Sequence, residues 1–454
     1  MAIDRRRVLA ISAATGALPG AIAIPSPAAA VPLSSSGIDA TTLGVRAGGN
    51  EDQTSALQRA IDRTAGARVP LLLGPGVYRT GELKLPTGAQ ILGIRGATRL
   101  VFTSGASLIS ARGADHLTLS GLVIDGGGRP LPEGRGLVHI AWGGNVRIVD
   151  CEVAESSRHG IVLEAVAGSV TGSTVRTVAD TAILSLDARG LTISGNTVQG
   201  AGNNGIQIWR TKKGDDGTLV VDNRIEDVTA RSGGSGQNGN AINVFRAANV
   251  IVRGNAISRA AFSAVRGNAA SNIQIVGNSC SALGEVAIYS EFGFEGAVIA
   301  NNTVDGACIG ISVTNFNEGG RLAVVQGNLV RNLKPQRPAG TDPNDGSGIG
   351  ISVEADASVS GNVVEHAPTA GIMVGWGQYM RDVSVTGNVV RSAGLGIAVS
   401  VTPGAGTAVI TGNLIANATR GAIVGMDLTK AVTGDLVKDS SRYAQLSISG
   451  NRVR

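Results

Sequence analysis

The chain has 454 residues, 66 of them glycine, with 43% hydrophobic, 3% aromatic and 16% charged residues and a formal net charge of +5. That hydrophobic share supplies a core and excludes disorder. So small a charge over this length, with no Lys/Arg block, argues against a nucleic-acid-binding surface. Abundant glycine beside short Val/Ile runs calls for many short strands and many turns.

Residues 1–30, MAIDRRRVLAISAATGALPGAIAIPSPAAA, have a basic start, a weakly apolar middle and an Ala-rich end. This is the pattern of an export signal. Arg5 and Arg6, followed by Arg7, Val8 and Leu9, resemble a twin-arginine (Tat) signal. Gly16, Pro19 and Gly20 interrupt the apolar stretch, so no stable membrane insertion is expected. Cleavage is expected after Ala28-Ala29-Ala30, with Ala21-Ile22-Ala23 as the second choice. A chain so addressed meets the Tat export machinery and works in the periplasm or outside the cell. Residues 31–38 read as a linker, 39–115 as an N-terminal cap with the first coils, and 116–454 as regular coils continuous with them.

The stretch NEDQTSALQRAIDRTAG carries an amphipathic helix, with Ala56, Leu57, Ala60 and Ile61 on one face. Beyond it a phrase recurs. Its Asn stands at 196, 223, 255, 278, 302, 328, 362, 388, 413 and 451, with Ser173, Cys151 and Leu122 in the same slot upstream. An apolar residue follows two positions later. A second strand begins nine or ten residues after the Asn in the compact repeats, led by Ile206, Ile242, Val265, Ile288, Ile311, Ile351, Ile372, Ile397 or Ile423, with Ile161 and Ile183 upstream. The compact period is roughly 23 residues. Leu is not the recurrent residue, which excludes a leucine-rich repeat, and the strict alternation excludes helical repeats. The expected fold is all-β: a single-stranded right-handed parallel β-helix solenoid with an N-terminal capping helix. Asn suits its corners because it tolerates a left-handed backbone and hydrogen-bonds a stacked neighbour.

Residues 39–95, the helical stretch and the VPLLLGPGVYRTGELKLPTGAQILG that follows it, resemble the start of pectate-lyase-type right-handed β-helices. The resemblance covers nearly the whole chain beyond the signal. A closer similarity is to Tat-exported β-helix repeat proteins of uncharacterised function. The resemblance implies fold and export but no reaction. The combined Asp-Asp, Gly-His-Gly and Arg-x-Lys signatures of polygalacturonases are missing, as is the acidic calcium site of pectate lyases. No cofactor is expected, and calcium has no motif here. The cysteines Cys151, Cys280 and Cys308 read as small core residues, and with the four His scattered no structural zinc site is expected.

Three loops break the period, at residues 211–217, 229–239 and 335–348. The last two should leave the same corner several coils apart and flank a cleft over the compact coils between them. On the second strand's outward positions fall Gln207, Asn243, Arg266, Tyr289, Ser312 and Ser352, and two residues further Trp209, Phe245, Asn268, Glu291, Thr314 and Glu354. Arg210, Arg246, Phe292, Asn315 and Trp376 lie just beyond. Phe316 and Tyr379 bring further aromatic rings to the same face. Aromatic faces stack on sugar rings and Arg grips carboxylates, so a polysaccharide, and an acidic one, is the expected partner. Substrate-binding candidates are Gln207, Trp209, Arg210, Asn243, Phe245, Arg246, Phe292, Asn315 and Trp376. Catalytic candidates are Arg266 with Tyr289, to hold and deprotonate a uronic acid, and Glu291 with Glu354, about 9.6 Å apart at two strand spacings, as a hydrolytic pair. A second, smaller cluster is His159 with Glu164 and Asp187. Lyase, epimerase and hydrolase chemistries fit this pattern. The alternative is a non-catalytic envelope or surface protein that binds glycan or protein along the solenoid.

Overall fold

The computed structural model describes residues 37–339, 341 and 346–454. The expected export signal and most of the expected linker lie outside the described residues. From Gly37 onward the chain is one parallel β-solenoid. Each coil lays down three strands. In one coil these are Thr192–Ser194, Thr197–Ala201 and Asn204–Asp215. The next repeats them as Leu219–Val221, Arg224–Val228 and Asn240–Ala248. Each strand pairs in parallel with its counterpart in the adjoining coil, so three faces run the length of the solenoid. Near the C-terminus the hairpin of Ile423–Asp427 with Lys430–Asp435 departs from this by pairing antiparallel.

The recurrent Asn is a buried ladder between the first and second faces. Asn302 shows the unit. Its Oδ1 accepts from the backbone N–H of Asn278 at 2.9 Å and from Asn278 Nδ2 at 3.0 Å. Its Nδ2 donates to Ile275 O at 2.9 Å and to Asn328 Oδ1 at 3.0 Å. All four hydrogen-bonding positions of the amide are filled inside the protein, which lets a polar side chain sit in the core without the desolvation penalty of an unmatched group. The same pattern links Asn196 to Asn451 without a break, and Ser173 and Cys151 extend it upstream. One expectation needs correction. The left-handed residue is not the Asn but the one before it: Gly195, Gly277 and Gly412 have φ of 63°, 66° and 66°, and Asp222 and Asn301 take the same turn. The turn aims the Asn side chain inward, and glycine makes it at no steric cost.

Ile161, Ile183, Ile206, Ile242, Val265, Ile288, Ile311, Ile351, Ile372, Ile397 and Ile423 stand in one column at matching register, and every one is fully buried. Each β-branched side chain buries against its copy in the next coil, at about 1.5–3 kcal/mol apiece before ordering entropy.

The helix spans Thr54–Gly66 and buries Leu57, Ala60, Ile61, Thr64 and Ala65. It lies where the first coil would otherwise expose unpaired backbone. Gln58 Oε1 accepts from Lys84 N–H at 2.9 Å while its Nε2 donates to Lys84 O at 2.8 Å, and Gln53 N–H donates to Arg79 O at 2.7 Å. The segment thus covers both the apolar core and the strand edge at the N-terminal end. Cys151 and Cys280 lie in the core, where burial pushes their thiols up to about 11 and about 12. Cys308 is buried, its Sγ 2.8 Å from Gln336 O. All three are free.

Candidate functional site

The third face carries the candidate residues in the expected rows. Gln207, Asn243, Arg266, Tyr289, Ser312 and Ser352 are register partners from coil to coil, as are Trp209, Phe245, Asn268, Glu291 and Thr314. Strand alternation dictates this: the Ile/Val positions between them point inward, so these point out.

Pointing away from the core is not the same as facing solvent. Residues 229–239 fold across this part of the face. Asn243 Nδ2 donates to Gly236 O at 3.1 Å and Arg266 Nη1 to Ser235 O at 2.9 Å. Gln207 Oε1 accepts from Thr181 Oγ1 at 2.8 Å. Gln207, Asn243 and Arg266 are 5%, 2% and 7% exposed, which removes them from the substrate-binding and catalytic roles expected above.

Arg266 and Glu291 form a buried two-pronged ion pair, Nε to Oε1 at 2.7 Å and Nη2 to Oε2 at 2.8 Å. Asn268 Nδ2 donates to the same Oε1 at 2.9 Å. The pair continues sideways. Arg266 Nη1 is 3.5 Å from Glu285 Oε2, and Glu285 Oε1 accepts from Arg337 Nη2. Arg337 in turn holds its own loop through Gly346 O at 3.0 Å. Among the described residues this network holds two cations and two carboxylates; desolvation would lower the Arg266 pKa, but Glu291 and Glu285 outweigh it, so the pKa is raised. Arg266 lies 4.7 Å from the Tyr289 ring centroid, stacked on it. Glu291 is 1% exposed and fully engaged, so the expected Glu291–Glu354 hydrolytic pair does not form an open site. The network ties both long loops to the face; Glu285 and Arg337 gave no sign of this in the repeat because neither sits in its outward rows.

Beside that network opens a cleft of about 360 Å³, between the third face and the segments carrying Arg337 and Gly346. Tyr289, Phe292, Phe316, Trp376 and Tyr379 line it, with Ser312, Ser352, Glu318 and Glu354. Phe316 and Tyr379 pack edge-tilted, 5.6 Å between centroids. Phe292 is 43% exposed at the lip. At the floor, Glu354 Oε2 accepts from the backbone N–H groups of Asn315 at 2.9 Å and Phe316 at 3.0 Å. Oε1 has no hydrogen-bond partner among the described residues. Burial pushes the Glu354 pKa above its usual value, and the two N–H groups only partly offset that. The result is a fixed carboxyl, inclined to hold its proton, in an aromatic cleft. Glu318 is an exposed carboxylate in the same wall.

The remaining candidates divide. Tyr289, Phe292, Trp376 and Asn315 line the cleft, although Asn315 is buried and spends its amide on Ala355 N–H and O. Trp209 and Phe245 pack together with centroids 5.6 Å apart in a separate patch, with Arg246 over the Phe245 ring. Arg210 turns to Ala188 O and the buried Asp216. The cluster of His159, Glu164 and Asp187 does not assemble: His159 Nδ1 accepts from Thr181 N–H, Glu164 faces His139, and Asp187 accepts from Thr211. Burial holds the His159 pKa below its usual value.

The family model described as "Right handed beta helix region" matches residues 97–225, 160–330 and 211–390. The chain belongs to this family. As a right-handed β-helix it is similar in structure to the N-terminal fragment of bacteriophage phi29 gene product 12, at a TM-score of 0.54 and 14% identity over 93% of this chain and 72% of that one. The pre-mature form of the same phage protein gives 0.52 and 16% over 86% of this chain, which spans 55% of that one. GH136 lacto-N-biosidase from Eubacterium ramulus gives 0.51 and 13% over 68% of this chain and 62% of that one. At these identities the likeness is one of fold. No curated protein matches the sequence. Among the described residues of the β-helix, no group of three or more His, Cys, Asp or Glu side chains could hold a metal ion.

Proposed function

We propose that this β-helix protein binds a polysaccharide in the cleft over Tyr289, Ser312 and Ser352 and hydrolyses it with Glu354 as the acid. The observation that carries this reading is the Glu354 carboxyl, pinned through Oε2 by two backbone N–H groups while Oε1 has no partner among the described residues of its aromatic wall. Aromatic rings supply stacking surface for sugars, and a proton held by burial is available to a leaving oxygen. In this proposal the proton moves from Oε1 to the glycosidic oxygen as its bond to the anomeric carbon breaks. A water adds to that carbon and gives its proton to Glu318, the other carboxylate of the cleft.

A neutral chain suits the cleft better than the acidic one expected from sequence. Among the described residues its one lining cation, Arg337, is already committed to Glu285, and the Glu318 carboxylate remains. The lacto-N-biosidase on the same fold agrees with a glycan ligand. The test is mass spectrometry of products from a panel of neutral and acidic polysaccharides. Saturated oligosaccharides from the wild type, absent with Glu354→Gln, support the reading. Unsaturated products point instead to a lyase. Equal turnover by Glu354→Gln removes Glu354 from the chemistry. Retained binding with no turnover by either protein favours the non-catalytic alternative, to which the spread of aromatic residues over several coils also lends itself.

We also propose export by the Tat pathway, on residues 1–30 alone. Arg5→Lys with Arg6→Lys should leave the protein in the cytoplasm, and normal export of that variant would end this reading.

A further inference from the structure

The third face carries a second cleft at its N-terminal end, of about 950 Å³, between the capping helix and the first coils. His139 in its wall and Ser352 in the Glu354 cleft belong to one row, eight coils and so about 38 Å apart. The charge here is reversed. Arg59, Lys84, Arg112 and Arg135 face Asp62 and Glu82. Arg135 is matched by Glu82 at 3.7 Å, whereas Arg59, Lys84 and Arg112 have no carboxylate partner among the described residues.

Two further features point to a ligand. Trp142 is 47% exposed, and the Arg112 guanidinium lies 3.3 Å from its ring centroid. Trp142 has a φ of 55°, at a corner where adjoining coils hold Gly113, Ala165 and Asp187 in the same conformation. The corner therefore needs no large side chain, least of all one that must adopt a left-handed backbone at the surface. His139 is 5% exposed. Its Nε2 is 3.2 Å from Glu164 Oε1, and its Nδ1 is buried without a hydrogen-bond partner among the described residues. With Nε2–H donating to Glu164, Nδ1 is an acceptor awaiting a donor.

We propose that this cleft binds an anionic sugar: the acidic group pairs with Lys84, Arg59 and Arg112, whose guanidinium the Trp142 ring holds in place beside the cleft, and a hydroxyl answers His139. Uronic-acid carboxylate and sugar sulfate share this chemistry. The site stands independently of hydrolysis at Glu354, and gives the acidic glycan expected from sequence a different location.

The test is calorimetric titration of the full chain, at low salt, with a hexauronate, a sulfated hexasaccharide and a neutral hexaose. At least one anionic probe should bind, and a saturating amount of the neutral hexaose should not displace it. Lys84→Gln with Arg112→Gln should weaken it by more than tenfold, Trp142→Ala should also weaken it, and Trp376→Ala in the other cleft should leave it unchanged. The hexauronate and the sulfated probe distinguish the two acidic groups. Binding of neither, binding that survives the double substitution, or loss of binding in Trp376→Ala would each overturn the proposal. The Lys84 and Arg112 side chains are exposed and make no hydrogen bond among the described residues, so unchanged thermal unfolding of the variant is expected; Arg59→Gln provides a second reading should it shift.

Discussion

Arg266 and Glu291, one coil apart, face each other through two parallel hydrogen bonds of 2.7 and 2.8 Å beneath a loop that meets them through the backbone carbonyl of Ser235. Their partnership anchors the third face. Arg266→Met should leave Glu291 buried without its cation and destabilise the protein by about 3–5 kcal/mol, whereas Arg266→Met with Glu291→Met should cost less than either change alone. Chemical denaturation of the three variants checks this. Additive losses would mean that the pair is not coupled.

Glu354 binds its proton more tightly in the folded protein than in the unfolded chain, because burial raises its pKa above the usual 4.5. Its contribution to stability is therefore greatest at low pH and falls as pH rises from the ordinary carboxylate range through the raised value. Glu354→Gln keeps an oxygen for the two N–H groups and loses the titration. The variant should gain melting temperature relative to wild type above that window and match it below. If the proposed chemistry holds, wild-type turnover should also fall over the same window as the acid loses its proton. A stability difference that grows toward low pH would contradict the sign.

The Asn ladder should be sensitive to single breaks. Asn302→Ala leaves the buried Asn278 N–H without its acceptor, takes one of two acceptors from Asn278 Nδ2, which keeps Val252 O, and removes a donor from Ile275 O. A buried unmatched group costs about 1–3 kcal/mol, so a loss of several kcal/mol is expected. Ile288→Asn, in the apolar column, places an amide between Val265 and Ile311, whose side chains offer it no hydrogen bond. A loss of a few kcal/mol is expected there too. Thermal unfolding of both variants is the check. An unchanged melting temperature for Ile288→Asn would mean that the inward register is wrong.

The solenoid was legible because its physics repeats. Every coil must fill the same apolar column and pair the same amide, so Ile206 and Asn196 have partners along the solenoid. Even so, the left-handed position fell one residue before the Asn, as Gly195 and its counterparts show. The site was only half legible. Alternation correctly put Arg266, Tyr289 and Glu354 in outward rows, but it cannot tell an outward residue in solvent from one covered by a loop. Residues 229–239 bury Asn243 and Arg266, and Arg337 reaches Glu285 from 52 residues away. Neither contact has a period that could announce it. Trp142 escaped for a similar reason: it sits on a corner, outside the strand rows that drew attention to Trp209 and Trp376.

The aromatic wall gives a further expectation. Phe292→Ala, at the exposed lip, should weaken glycan binding severalfold with a change in stability near ±0.5 kcal/mol, as befits an exposed side chain. Binding titration and thermal unfolding, run together, separate the two effects. Undiminished affinity would take Phe292 out of the binding surface.

The most direct measurement is a carbohydrate array probed with the wild-type protein and with Trp376→Ala side by side. The expected result is binding of wild type to one or more neutral glycans, reduced at least tenfold by Trp376→Ala while both proteins melt alike. Binding to no neutral glycan, or equal binding by the two proteins, would contradict the assignment of the Glu354 cleft as the glycan site.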